Sequence, residues 1–226
     1  VNNGSERKVG GSGEPFCHGL ILAGGQSSRM GRDKAMIAID GRPLLAKLID
    51  AMSASVPGEI VVSVNSPERE TLYRERLGPL PASVRFACDR KSEAGPLAGL
   101  AAGLGALPGG YAYAVACDAP ELSPRWLSRL LAEAAAETGV LAVAAKGEPL
   151  HALYHAEVAR LAEEALAEGD LRLMSLLRRA GARQLELNEN EKSAYGLHNL
   201  NTPEQLRMYL SERNHRVEEK NSSPDP

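Results

Sequence analysis

Aromatic side chains make up 4% of this 226-residue chain, with two phenylalanines and one tryptophan. That scarcity argues against a nucleic-acid surface built on base stacking. A formal net charge of −3 argues against a general polyanion binder, so any polyanion must be held locally. Three cysteines, Cys17, Cys88 and Cys117, are too few and odd in number for a disulfide framework. Two of them end apolar runs and read as small buried residues, and the usage fits a reducing, cytoplasmic compartment. No apolar run reaches the ~20 residues of a spanning helix. The N-terminus lacks the apolar segment of a secretory signal. Nucleic acid and membrane are therefore not expected partners. A convincing Ser/His/Asp set is also missing.

What is present is ordinary globular material, 43% hydrophobic and 24% charged. It predicts one α/β domain with a well-covered core. Residues 1–15 read as a disordered leader, 16–213 as the domain and 214–226 as a disordered tail.

Within the domain, strand and helix patterns alternate. Strands are expected near 18–23, 59–64, 84–87, 111–117, 140–144, 149–155 and 184–187. Helices are expected from Pro43, from Ser66-Pro67-Glu68, over 95–107, from Ser123-Pro124, over 156–168 and 171–180, and after Thr202-Pro203-Glu204. Asp40-Gly41 is a turn signal. This alternation predicts a mostly parallel sheet flanked by helices, a Rossmann-like three-layer sandwich. Such sheets bind ligands at the carboxyl ends of their strands.

Three polar features fall at those ends. The first is the loop Leu22-Ala23-Gly24-Gly25-Gln26-Ser27-Ser28-Arg29-Met30-Gly31-Arg32-Asp33-Lys34. Its glycines permit close backbone approach, and its N–H groups with Arg29 and Lys34 suit an anion. It is neither a Walker A loop nor a Gly-x-Gly-x-x-Gly fingerprint. The plain alternative is a tight strand-to-helix turn with two exposed cations. The second and third are Asp89 and Asp118. Asp118 suits Mg²⁺, which takes one or two carboxylates plus substrate phosphates, and could equally be a turn aspartate; Asp89 shares that ambiguity, with more weight on the plain reading. Arg90 and Lys91 could simply pair with Asp89. His151 and His155 have a spacing that on a helix could bind zinc, but Leu150 to His155 alternates like a strand. Asn199 and Asn201 lie two apart before a helix entry.

Read together, Leu22-Ala23-Gly24-Gly25, Arg29-Met30-Gly31 and Asp33-Lys34 resemble the signature of nucleotidyltransferases that use a nucleoside triphosphate. More narrowly, the chain resembles the molybdenum cofactor guanylyltransferases (molybdopterin-guanine dinucleotide synthases). Segments 95–100 (Gly-Pro-Leu-Ala-Gly-Leu), 117–120 (Cys-Asp-Ala-Pro), 148–154 (Glu-Pro-Leu-His-Ala-Leu-Tyr) and 199–206 (Asn-Leu-Asn-Thr-Pro-Glu-Gln-Leu) agree in order and spacing. The resemblance spans about residues 18–210 and departs at Gln26-Ser27-Ser28 and Arg32.

It implies a nucleotide-diphospho-sugar transferase-like fold. It also implies Mg²⁺-dependent transfer of GMP from GTP to molybdenum-loaded molybdopterin, with pyrophosphate leaving. Leu22, Ala23, Gly24 and Gly25 would line the nucleotide with backbone, Lys34 and Arg29 would meet phosphates, and Asn65 and Asp89 would face the guanosine end. Asp118 would hold the metal, and Asn199 and Asn201 would lie toward the pterin. The stretches 149–154 and 169–172 would border the pterin site. Proteins of molybdenum insertion and molybdoenzyme maturation would be further partners. Cytidylyl transfer, transfer to a sugar phosphate, and non-catalytic carriage of the cofactor are the competing readings.

Overall fold

A computed structural model describes residues 15–25, 33–89 and 94–222. Four strands open the fold's parallel half: β1 (Cys17–Leu22), β4 (Ile60–Val64), β5 (Val84–Cys88) and β6 (Tyr111–Ala116). Between β1 and β4 come a hairpin, β2 (Ala38–Ile39) and β3 (Arg42–Pro43), and helix α1 (Leu44–Ser55). Helix α2 (Pro67–Leu77) follows β4, and α3 (Gly95–Gly105) follows β5. After β6 come α4 (Pro124–Ala135), β7 (Ala142–Ala145), β8 (Glu148–His155), α5 (Val158–Ala167), α6 (Leu173–Arg179) and β9 (Arg183–Leu185). Two helices close the chain, α7 (Glu189–Ala194) and α8 (Pro203–Ser222).

The sheet order is β5-β4-β1-β6-β8-β7-β9. The β1–β4, β1–β6, β4–β5 and β7–β9 pairs are parallel, and β8 runs antiparallel to both its neighbours. The expected mostly parallel sheet is therefore what forms, with one reversed strand. The reversal follows from a two-residue connection, Lys146-Gly147, in which Gly147 takes φ +82°. A hairpin can be that short, whereas a parallel crossover cannot.

Every residue of β1 and β4 is buried, as a strand covered on both faces requires. One face packs Ile21, Val62 and Tyr113 with Leu45, Leu48 and Met52 of α1 and Trp126 and Leu130 of α4. The other packs Leu20, Val61 and Ala114 with Leu97 and Leu100 of α3, Ala162 of α5 and Leu176 of α6. Three layers result. The small, glycine-spaced α3 sits close to the sheet: a Cβ on Gly103 would fall 2.2 Å from Leu20 Cδ1.

Local signals act as expected at several ends. Ser66 and Ser123 accept from Arg69 N and Trp126 N at 3.3 and 3.2 Å, each with a proline at the helix start. Asp40 and Gly41 take φ +53° and +74° at the hairpin turn. A third small core joins Ile37, Ile39 and Leu44 to Leu200, Leu206 and Tyr209, seating the start of α8 against the hairpin. Arg213 and Lys47 both bind Asp40 there, at 2.5 and 2.6 Å. Helix α8 runs on to Ser222, past the expected domain limit at Arg213.

Candidate active site

In the sheet order, β1 is flanked by β4 on one side and β6 on the other, so the chain's course switches sides at β1. In an open α/β sheet a crevice forms there, outside the carboxyl ends. Those ends deliver, in spatial order, Asp89, Asn65, Ala23 to Gly25, and Asp118. Backbone bonds continue beyond the strands and fix the row: Asp89 N–H to Val64 O at 2.9 Å, Ala23 N–H to Ser63 O at 2.7 Å, and Cys117 N–H to Leu22 O at 2.9 Å. Gly24 allows a close approach of the two strand ends, since a Cβ would stand 3.1 Å from Asn65 N, a tight contact. Gly25 is exposed and faces open space.

Lys34 enters this row on a short 3-10 turn, Lys34–Met36. Asp33 caps the turn, its Oδ1 accepting from Ala35 N at 3.0 Å. Its Oδ2 accepts from the Tyr73 hydroxyl at 2.8 Å, and that hydroxyl also lies 3.2 Å from Ala23 O. Tyr73 is the buried residue of the otherwise charged α2. It joins the two chain segments on either side of the glycine-rich loop. Arg69 adds a bond from Nη1 to Gly25 O at 3.0 Å. Burial, then the Asp33 charge, pushes the Tyr73 phenol well above its ordinary range, so it stays a proton donor.

From this mount, Lys34 Nζ donates to Asp118 Oδ2 at 2.7 Å and to Asn201 Oδ1 at 3.0 Å. The Lys34 and Asp118 side chains are 17% and 11% exposed, so the pair is partly desolvated yet open to a ligand. The asparagine segment is tied to the same strand end, with Leu200 N–H donating to Asp118 O at 2.9 Å. A capping box sets the entry to α8. Gln205 Oε1 accepts from Asn201 N and Thr202 N at 2.7 and 3.1 Å, and Gln205 N donates to Thr202 Oγ1 at 3.2 Å. Lysine, aspartate and asparagine thus meet although 84 and 167 residues of chain separate them from Lys34.

Asp118 Oδ1 is buried and has no hydrogen-bond partner among the described residues. An open carboxylate oxygen in a cleft fits a hard divalent cation that completes its shell with phosphate oxygens and water. Among the described residues there is no cluster of three or more His, Cys, Asp or Glu side chains that could hold a metal alone. His151 and His155 both lie on strand β8 rather than on a helix.

The structure therefore gathers Leu22, Ala23, Gly24, Gly25, Lys34, Asn65, Asp89, Asp118, Asn199 and Asn201 along one edge. Arg29, Arg90 and Lys91 lie outside the described residues. Tyr73, Asp33, Arg69 and Gln205 are supporting residues that the motifs left without a role. A single tyrosine within a helix of charges was the available signal for Tyr73. Cys117, between β6 and Asp118, is a core residue whose thiol is pushed up to about 12 by burial and then by the Asp118 and Asp33 charges.

The MobA-like NTP transferase domain matches residues 19–186. A molybdenum cofactor guanylyltransferase of Pseudomonas paraeruginosa is 35% identical over 197 residues, covering 85% of this chain and 93% of the relative. A probable molybdenum cofactor guanylyltransferase of Natronomonas pharaonis is 35% identical, covering 70% of this chain and 78% of its own length. Among solved structures, the molybdopterin-guanine dinucleotide biosynthesis protein A of Archaeoglobus fulgidus superposes with a TM-score of 0.72 at 23% identity. It covers 88% of this chain and 99% of that one, a likeness of fold. A chain with this cleft, and with these relatives along most of its length, belongs to the MobA-like NTP transferases and, within them, to the molybdenum cofactor guanylyltransferase family of nucleotidyltransferases.

Proposed function

We propose that the chain transfers GMP from GTP to molybdenum-loaded molybdopterin, giving the guanine dinucleotide cofactor and pyrophosphate. The observation that carries this reading is the meeting of Lys34, Asp118 and Asn201 at the mouth between β1 and β6. A cation there stands between a carboxylate suited to a metal and an amide from the segment that enters α8.

The reaction joins an acceptor phosphate oxygen to the α-phosphorus of GTP. The bond from that phosphorus to the α–β bridging oxygen breaks, and the electron pair leaves with pyrophosphate. Two anions must approach, so positioning and charge neutralisation supply most of the acceleration. The backbone of Leu22 to Gly25 embraces the nucleotide. Lys34 stabilises charge on the departing pyrophosphate, with Arg29 as a second cation. Mg²⁺ held by Asp118 would neutralise phosphate charge on the same side. Asp89 and Asn65 face the base. A carboxylate at Asp89 accepts from guanine N1–H and N2–H₂, two donors that cytosine and adenine do not present together. Asn199 and Asn201 face the acceptor. A phosphate monoester is already ionised near neutral pH, so no strong general base is required. The three free thiols support a cytoplasmic setting.

Purified protein incubated with GTP, Mg²⁺ and molybdenum-loaded molybdopterin should yield the dinucleotide and an equal amount of pyrophosphate. Product from CTP and none from GTP would move the assignment to cytidylyl transfer. Product with a sugar phosphate alone would change the acceptor. Tight cofactor binding with no pyrophosphate from any nucleotide would make the chain a carrier.

A further inference from the structure

His151 has a left-handed backbone, φ +56°, within strand β8. That conformation is disfavoured for a residue with a side chain. Strain of this kind persists where surrounding contacts impose it, and it clusters at functional sites. The contacts are visible. The β6–β8 ladder runs from Tyr111↔His155 to Ala114↔Ala152 and stops, and the β7–β8 register shifts between Val143 and Ala145. The irregularity turns the His151 carbonyl to accept from Trp126 Nε1 at 2.7 Å. The imidazole is carried into the interior, 4% exposed, where Nδ1 stands 3.4 Å from the Tyr113 hydroxyl.

The imidazole also interacts with the segment that enters α8. His151 Nε2 and Asn199 Oδ1 are both buried, and each lacks a partner of good geometry among the described residues. The Asn199 side chain and the His198 carbonyl nevertheless act on the imidazole as acceptors, raising its proton affinity against the larger effect of burial. A buried donor or acceptor left without a partner is destabilising. One proton on Nε2, aimed at Asn199 Oδ1, satisfies both orphaned atoms at once.

We propose that His151 is the positioning residue for Asn199. As the Nε2–H tautomer, with Nδ1 accepting from Tyr113, it holds Asn199 Oδ1 inward and leaves the amide NH₂ facing the cleft as a donor to an acceptor phosphate oxygen. The role rests on the reading above, in which Asn199 borders the acceptor. Burial pushes the imidazole down to about 4, so it is neutral at working pH and has one nitrogen free to accept. The strained turn in β8 thereby acquires a purpose. It re-aims one side chain toward the α8 entry, as strand irregularities beside active sites do.

Two variants separate this role from simple packing. His151→Gln places an amide nitrogen near the Nε2 position and keeps the donor. His151→Asn tolerates a left-handed backbone but is too short to reach Asn199. His151→Asn should raise the KM for molybdenum-loaded molybdopterin roughly tenfold, the worth of one hydrogen bond, and leave the KM for GTP within about twofold. His151→Gln should restore most of the loss. Unchanged acceptor KM in His151→Asn overturns the proposal, as does equal damage in both variants or an equal rise in the GTP KM. The ¹⁵N spectrum of histidine-labelled full-length protein near pH 7.5 provides a readout independent of turnover. It should show His151 protonated at Nε2 and bare at Nδ1, and the reverse tautomer overturns the proposal. Should the wild type transfer nothing to molybdopterin, the functional reading fails while the spectrum still decides the tautomer.

Discussion

Lys34 Nζ lies 2.7 Å from Asp118 Oδ2, an ion pair at the mouth between β1 and β6. There the lysine ammonium compensates the carboxylate in a partly desolvated site. The second oxygen of that carboxylate has no partner among the described residues, and in the proposed reaction it would meet the metal. In the proposed reaction, ligand binding would divide the two charges between phosphate and cation.

Asp118→Asn keeps the shape and removes the charge. It should lower kcat roughly 100- to 1,000-fold, the range for losing one preorganised electrostatic contact, with the far-ultraviolet circular dichroism unchanged. Lys34→Met, which retains an unbranched stem, should fall in the same range. Steady-state pyrophosphate release checks both. Retention of more than a tenth of wild-type kcat in Asp118→Asn would remove it from the metal role.

The Tyr73 hydroxyl acts one step further back. It steadies Asp33, and Asp33 caps the turn that carries Lys34. Tyr73→Phe deletes one charge-assisted bond of about 1.5–3 kcal/mol and leaves the buried ring in place. The expected outcome is a folded protein with kcat/KM for GTP down about tenfold. Combined with Asp33→Asn, the two losses should add to clearly less than their sum, because both disturb the same support. Full additivity in the double-mutant cycle would show that the hydroxyl does not act through Asp33.

Stability should fall as the solution is acidified. An unfolded histidine takes up its proton near pH 6.5, whereas burial delays protonation of native His151 to about 4. Between those values the unfolded chain binds more protons at this site, so the His151 contribution to the unfolding free energy drops as pH falls and levels off below about 4. His151 alone accounts for a loss on the order of 3 kcal/mol across that window. His18, whose imidazole is also held down mainly by burial, adds in the same direction. Urea melts at pH 7.0 and 4.5 should show a clear decrease for wild type and a smaller one for His151→Gln. Equal slopes for the two proteins would mean that His151 is not buried neutral.

These supports explain what the sequence revealed and what it hid. Ser66-Pro67 and Ser123-Pro124 marked helix starts because caps act within four residues. Asp40-Gly41 marked its turn for the same reason. The strand runs placed Asn65, Asp89 and Asp118 at one edge because a parallel sheet aligns its carboxyl ends. The direction of β8 was not legible, since an alternating apolar run reads the same in either direction. Helix α7 was legible but unread: Asn188 and Glu191 form a capping box at its start. The pairing of Lys34 with Asp118 and Asn201, and of Tyr73 with Asp33, depends on tertiary placement that no local spacing encodes.

The cysteines give a last prediction, tied to burial. Burial pushes the thiols of Cys17 and Cys117 each up to about 12, so neither forms thiolate at ordinary pH. Thiolate is the reacting form. Cys88 is half-buried at the end of β5, and its thiol is raised chiefly by burial and then by Asp89. In the native protein at pH 8, an aromatic disulfide reagent should titrate at most one thiol quickly, and Cys88→Ser should abolish that reaction. Unfolding in denaturant should release all three, the number in the chain. Rapid native labelling of Cys117 would mean that the β6 end opens readily, and the Lys34–Asp118 pair would then not be the fixed mount on which the proposed chemistry depends.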